Sequence, residues 1–470
     1  MKSTVLAVLL LNCLCATGAV VAGESPIRVG TFDVDASPPV GSPLAYDPTK
    51  GVELPLSCRG VVISGGGQPI VLCAVDWIGV ANDGQKVFRE ALARAAGTAP
   101  EWVAVHALHQ HDAPRCDFSA EELLAKHGLN DAVFDDRFLR DVVRRAALAV
   151  GDAATNATPV THLGLGKATV EKVASNRRIL GPDGKVQHVR WTATKDPEVR
   201  AAPVGTIDPE VRIISFWNGE QPIAALTYYA THPQSYYRTG LANPDFPGMA
   251  RNQRQEATGV FHVHFNGAGG NIGAGKWNDG APENRQILAD RLADGMARAW
   301  DATRKTPLAA ADVAWKTLAV ALPAAPHLDE EQLVRTLADQ SANVAARSSA
   351  ANDLLWLRRT KAGDTIDISC LTLGPARVLH MPGELFVEYQ LAAQRYRPGL
   401  FVAMAAYGDY APGYIGTEIA YEQGGYESSP RASLVAPAVE SVLVTAMQQL
   451  LEVPASDQSS KIVRPSEIRE

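Results

Sequence analysis

The chain alternates between short apolar runs and amphipathic stretches. A short strand is predicted at 27–35. The segment "RGVVISGGGQPIVLCAVDWIGV" (59–80) holds two β-branched runs around Gly65, Gly66 and Gly67, which predicts a β-hairpin. In "DGQKVFREALARAAG" (83–97) the apolar residues fall at helical spacing and stop on Gly97, a favoured C-cap residue. "EWVAVHAL" (101–108) returns to a buried strand. Strand, helix, strand is the order of an α/β layer. Further helices are predicted over 131–153, 249–257, 281–302, 328–360, 383–396 and 430–453. Strands are predicted near 159–172, 209–217 and 222–231, and a strand runs into a glycine-rich turn within 259–271. Residues 308–322 and 365–381 alternate as strands, the second stretch turning at Gly374-Pro375. No internal repeat and no linker is visible. The pattern predicts a single large mixed α/β domain of hydrolase size over 23–453, with a loose polar tail at 454–470.

Composition narrows the class. Apolar residues make up 46% of the 470 and charged residues 20%, the balance of a soluble globular chain with a sizeable core. A net charge of −7 without a basic run excludes an electrostatic nucleic-acid footprint. Lys2, the apolar run 5–14 and the small residues Val20-Val21-Ala22 form the pattern of a signal peptide over 1–22, so the chain is expected to be secreted or periplasmic. That run is short for a membrane span, which needs about 20 residues, and no later stretch approaches one. Removal of the signal leaves Cys58, Cys73, Cys116 and Cys370. One bridge is possible among them, and Cys58–Cys73 could close the hairpin.

Candidate chemistry begins with "AVHALHQHDAP" (104–114), where His106, His109 and His111 crowd together. At a strand end, alternation sends His109 and His111 to one face and His106 to the other. Two imidazoles at that spacing can share a cation, or they can bond to backbone. His232 in "LTYYATHPQSYY" (226–237) sits where a strand ends before a proline, the position where α/β proteins gather functional side chains. Glu384 in "VLHMPGELF" (378–386) follows a strand and opens a helix. The helix dipole accounts for a carboxylate there, and a metal would as well. The segment 408–429 is rich in Tyr, Gly and acid, as in turns and in binding-site linings. "FNGAGGNIGAGK" (265–276) is not a phosphate loop, since Trp277 follows the Gly-Lys. Its glycines suit close passage of backbone past a ligand or metal. No nucleophile elbow of the G-x-S-x-G kind lies near a strand end. His262 and His264 are read as packing or supporting groups.

Taken in order, these segments resemble the catalytic N-terminal domain of the neutral (non-lysosomal) ceramidase family. "VGTFDVDASPPVG" resembles its opening strand and D-I-T-P-P-x-G turn, "LHQHDAP" its T-H-T-H-S-G-P and "SNRR" its N-R-S. "YYATHPQS" resembles F-F-A-V-H-P-T-S, and "NPDFPGMA" stands where the family has G-D-N-x-G-Y-A. "MPGEL" resembles M-P-G-E-F. "YIGTEIAYEQGGYE" follows Y-I-T-T-P-E-E-Y-x-x-Q-x-Y-E with both end tyrosines at the same separation.

The resemblance implies a mixed α/β hydrolase fold and a catalytic Zn2+ held by His109, His232, Glu384 and Tyr414. It makes His111, Arg177 and Tyr426 the catalytic groups around the reacting carbonyl. Two imidazoles and a carboxylate match zinc chemistry. The tyrosine ligand comes from the resemblance alone. Two departures stand out. Where the family carries G-D-V-S-P-N, this chain has "GNIGAG", with Gly273 in place of the serine and Asn271 in place of the aspartate. The resemblance also ends near residue 450, where ceramidases of this family continue into a C-terminal β-sandwich domain. The expected activity is therefore zinc-dependent hydrolysis of an amide (N-acyl) bond by metal-activated water, on a small-molecule or lipid substrate. The alternatives are a non-catalytic metal-retaining binding protein of the same fold, and a metal-dependent esterase acting on a small non-lipid substrate.

Overall fold

A computed structural model describes residues 26–459 and 461–462. Its organising feature is one unit used three times. In each unit an antiparallel hairpin is followed by a helix that crosses to a parallel strand. The first unit pairs Ser57–Ser64 with Ile70–Val75 and crosses through the helix Asp83–Ala96 to Val103–Ala107. The second pairs Glu210–Asn218 with Gln221–Tyr229 and crosses through Asp245–Thr258 to Phe261–Asn266. The third pairs Ile366–Leu373 with Ala376–His380 and crosses through Val387–Tyr396 to Phe401–Ala405. Arg28–Asp35 extends the first sheet, His162–Thr169 the second and Val313–Val320 the third. The architecture is thus mixed α/β, as the sequence pattern predicts.

The three sheets meet in a common core. Leu72 and Ala104 of the first unit, Leu226 and Val263 of the second, and Val378 and Ala403 of the third belong to one buried cluster. Full burial of each large aliphatic side chain there contributes about 1.5–3 kcal/mol. The outer face of each sheet carries its own helices. Phe88 and Leu139 cover the first, Leu288 and Met296 the second, and Tyr389 and Met447 the third. The strands are therefore buried on both faces, which explains their continuous Val/Ile/Leu runs.

Several elements differ from the sequence reading. The stretch 328–360 is two helices, Glu330–Ala338 and Val344–Ala362, and Asn343 caps the second by accepting from the Ala346 N–H at 2.9 Å. The last helix is Val439–Leu450 and starts well after 430. Pro437 accounts for the late start, since it disfavours helix in the residue before it. Glu384 does not open a helix. It lies in the two-residue strand Glu384–Leu385, paired parallel with Tyr414–Ile415, and the helix begins at Val387. The strand before His109 ends at Ala107, and His109 itself is left-handed (φ 68°), so alternation does not set the direction of its ring. Cys58 and Cys73 are unbridged, their sulfurs 3.5 Å apart. The signal segment 1–22 lies outside the described residues. Of the expected polar tail, Ala455–Asp457 forms a single 3-10 turn. Ile462 is buried, its N–H donating to Glu440 Oε1 at 2.8 Å.

Candidate metal centre

The ends of the three units converge, and each brings one or two polar side chains to the same point. His109 and His111 follow the parallel strand of the first unit. His232 follows the hairpin of the second. Glu384 follows the hairpin of the third, and Tyr414 lies beside it by strand pairing. Glycines make the convergence possible. A Cβ on Gly269 would stand 2.5 Å from the Thr231 carbonyl oxygen, and one on Gly270 would stand 2.3 Å from that of Glu384. The glycine-rich turn thus threads between the backbones that carry His232 and Glu384, where only a residue without a side chain fits.

Glu384 Oε2 lies 3.2 Å from His109 Nε2 and 3.5 Å from His232 Nδ1. All three residues are buried, and none of these three atoms has a hydrogen-bond partner. Unpaired buried polar atoms cost about 1–3 kcal/mol each, so three aimed at one point ask for a shared partner. The neighbouring atoms fix their states. His109 Nδ1 sits 2.5 Å from the Ile78 carbonyl oxygen, which can only accept, so Nδ1 carries a proton and, in the neutral ring that a metal requires, Nε2 is a bare lone pair. The Tyr410 hydroxyl donates to Glu384 Oε1 at 2.6 Å, leaving Oε2 free. Burial raises the Glu384 pKa, but His109, Tyr410 and Tyr414 outweigh it and hold the carboxyl below its usual range.

His109, His111 and His232 form a buried group able to hold a metal ion. Within that group His111 is already engaged at both nitrogens. Its Nε2 lies 3.0 Å from His232 Nε2 and its Nδ1 lies 3.2 Å from the Tyr46 hydroxyl. Glu384 Oε2 is therefore the better third ligand atom beside the two free imidazole nitrogens. Burial first, then His109, Arg115 and Arg177, push the His111 pKa well down, so its ring is neutral at pH 7.

Arg177 borders the cluster. Its Nη1 donates to the Tyr414 hydroxyl at 3.1 Å and its Nε lies 3.2 Å from Glu427 Oε1. Burial opposes its charge, yet Tyr414 and Glu427 more than offset this and raise its pKa. The guanidinium also sits 5.4 Å from the Trp191 ring and 5.9 Å from each of the Tyr414 and Tyr426 rings. All seven side chains expected from the sequence therefore fall in one connected set. Gly273 and Asn271 do not extend it. Gly273 packs against Thr192 and Arg177, while Asn271 Oδ1 accepts from the Val387 N–H at 2.9 Å and its Nδ2 donates to Glu388.

No family model and no curated protein matches the chain. Solved structures do. A ceramidase solved in complex with C2 aligns with a TM-score of 0.66 at 16% identity, covering 93% of this chain and 77% of its own. The neutral ceramidase from Pseudomonas aeruginosa aligns with a TM-score of 0.65 at 17% identity, covering 94% and 77%. The chain has the neutral ceramidase fold. At this identity the likeness speaks for the ceramidase fold and leaves the chemistry to the side chains.

Tyr46, Ile78, Tyr410 and Glu427 were not singled out from the sequence as site residues. Tyr410 and Glu427 lie inside the tyrosine- and acid-rich stretch 408–429, so composition flagged the region without the residues. Tyr46 and the Ile78 carbonyl carry no sequence signal, because their contacts exist only once distant loops meet.

Proposed function

We propose that the chain is an exported zinc-dependent hydrolase of amide (N-acyl) bonds. The observation that supports this most is the trio of unpartnered buried atoms, His109 Nε2, His232 Nδ1 and Glu384 Oε2, with Tyr414 beside them. Imidazole and carboxylate donors suit zinc. Bound there, zinc would lower the pKa of water from about 15.7 towards about 7 and polarise the scissile carbonyl.

The remaining chemistry belongs to the protein. Arg177 and the Tyr426 hydroxyl receive the negative charge that builds on the carbonyl oxygen as a water oxygen bonds to carbon. His111, neutral, with Tyr46 at its Nδ1 and His232 at its Nε2, gives up the His232 contact to take a proton at Nε2 and returns it to the nitrogen as the C–N bond breaks. The products are a carboxylate and an amine. A ceramide is one substrate of this class, and smaller N-acylated molecules are others.

The test is elemental analysis of the purified mature chain beside His109→Ala and Glu384→Ala, followed by an amide-substrate screen. The expected result is one zinc per chain, lost in both variants, with amide cleavage in the wild type only. Full zinc in both variants would refute the ligand set. A wild type that takes up zinc but cleaves neither amides nor esters would move the protein to the non-catalytic, metal-retaining reading, and one that takes up no zinc would refute the metal site. Cleavage of esters but not amides would make it an esterase.

A further inference from the structure

On its His111 side the metal cluster is covered by aromatic rings that reach solvent. The Tyr46 ring stacks on that of His111, with centroids 5.6 Å apart at 20°, and the Tyr237 ring meets His111 edge-on at 5.2 Å. His111 is buried, whereas Tyr46 is 39% and Tyr237 38% exposed, so the two rings lead from the cluster to the surface. Two guanidinium groups sit on these rings. That of Arg238 lies 5.2 Å from the centre of the Tyr46 ring and 5.6 Å from that of Tyr237. That of Arg115 lies 5.6 Å from the centre of Tyr46, and its Nη2 donates to the Ala45 carbonyl at 3.2 Å.

Neither guanidinium has an ion-pair partner among the described residues. The acids of the same loops are engaged elsewhere or reach neither. Glu53 pairs with Arg285 at 2.9 Å. Asp112 lies 3.7 Å from Arg285 and accepts from the Arg238 backbone N–H at 2.9 Å, which holds the left-handed residue (φ 68°) that carries the side chain. Asp47, next to Tyr46, pairs with neither arginine. One unpaired surface arginine needs no explanation. Two against a single ring that itself stacks on a site histidine make a mouth of one charge sign, which draws anions. A guanidinium lying on an aromatic face keeps its N–H edge for an oxyanion, and its planar fork matches a planar carboxylate.

The position of this mouth says which half of a substrate it meets. In the proposed hydrolysis, on which this inference rests, His111 returns a proton to the departing nitrogen, so the groups around His111 surround the amine half. We propose that Arg238 and Arg115 recognise a carboxylate on that half, and that the preferred substrates are N-acyl amino acids. Water adds across the C–N bond, and the products are the carboxylate of the acyl chain and a free amino acid.

Two probes that differ only in the charged group test it, N-octanoylphenylalanine and its alcohol N-octanoylphenylalaninol. With the full zinc-loaded chain the acid is expected to show a KM about tenfold below that of the alcohol, and Arg238→Gln should close the gap. Calorimetric titration of the chelator-treated chain reads recognition without turnover and keeps the carboxylate from binding zinc itself. There too the acid should bind about tenfold tighter, and Arg238→Gln and Arg115→Gln should each weaken it about fivefold. Arg238 is exposed, so its variant remains readable if Arg115→Gln fails to fold. Equal binding of acid and alcohol, or unchanged acid affinity in Arg238→Gln, would overturn the proposal, and cleavage of either probe would then leave the hydrolase reading standing. An arginine-dependent preference for the acid without cleavage of either probe would uphold the carboxylate site and count against the hydrolase reading alone.

Discussion

The chain contains two His-x-His pairs that look alike in sequence and differ in what surrounds them. His109 and His111 lie just beyond the parallel strand of the first unit, whereas His262 and His264 lie within the parallel strand of the second. All four are buried. Inside the strand each ring is held at one nitrogen, His262 Nδ1 against the Val260 carbonyl at 2.8 Å and His264 Nδ1 against Thr227 Oγ1 at 2.9 Å, and each Nε2, although unpartnered, faces no carboxylate at ion-pair distance among the described residues. Beyond the strand end the chain turns left-handed at His109, and its free nitrogen meets a carboxylate from another unit. The spacing is the same. Position relative to the strand end decides whether the pair meets ligands from elsewhere or is absorbed by its own sheet.

The largest effect expected from this contrast is a swap of outcomes. Glu384→Ala should abolish both zinc binding and hydrolysis, while His264→Ala should keep one zinc per chain and lose only stability. Elemental analysis and thermal unfolding of the two variants side by side check it, and zinc loss in His264→Ala would erase the distinction. Next in size is Arg177→Met. It should lower kcat about 10²–10³-fold while zinc content stays whole, since it removes charge from the oxyanion side. Steady-state kinetics against metal content reads this directly. Tyr410→Phe removes only the hydroxyl that fixes Glu384 Oε1. It should weaken metal affinity about 10–100-fold, the usual cost of losing a ligand's outer partner, as read by chelator competition.

The last effect concerns the strand pair alone and is read by pH. Burial lowers the pKa of His262 to about 4 and of His264 to about 3. Both lie below the unfolded value near 6.5. The unfolded chain therefore binds more protons, and the stability these rings contribute is complete above about pH 6.5. It is lost as pH falls towards the folded values, by about 1.4 kcal/mol per pH unit for each ring. His264→Phe should flatten the acid limb of a stability–pH curve by about one proton. An unchanged slope would mean that His264 already titrates near its ordinary pKa in the fold.

Much of this was legible in the chain, and the failures share a cause. The hairpin at 59–80, the helix ending at Gly97 and the turn at Gly374 follow from local chemistry, and all are present. So is the gathering of His109, His232 and Glu384, each beside a recognisable strand end. The threefold repetition was not legible, because the units share a path and no common spacing. Their crossover helices run 14, 14 and 10 residues and begin at different distances from the hairpins. The strand at Glu384 was missed because a two-residue pairing with Tyr414 has no local periodicity. The direction of His109 was missed because a left-handed residue breaks the alternation on which the prediction rests.

The repetition bears on how the molecule matures. Each unit supplies one member of the trio, His109 from the first, His232 from the second and Glu384 from the third. Any two units leave the set incomplete. Ion capture would therefore report that all three have docked in register. On the proposed reading, catalytic competence would come as the last act of assembly, with the ion as the rivet that keeps the three plates from sliding apart.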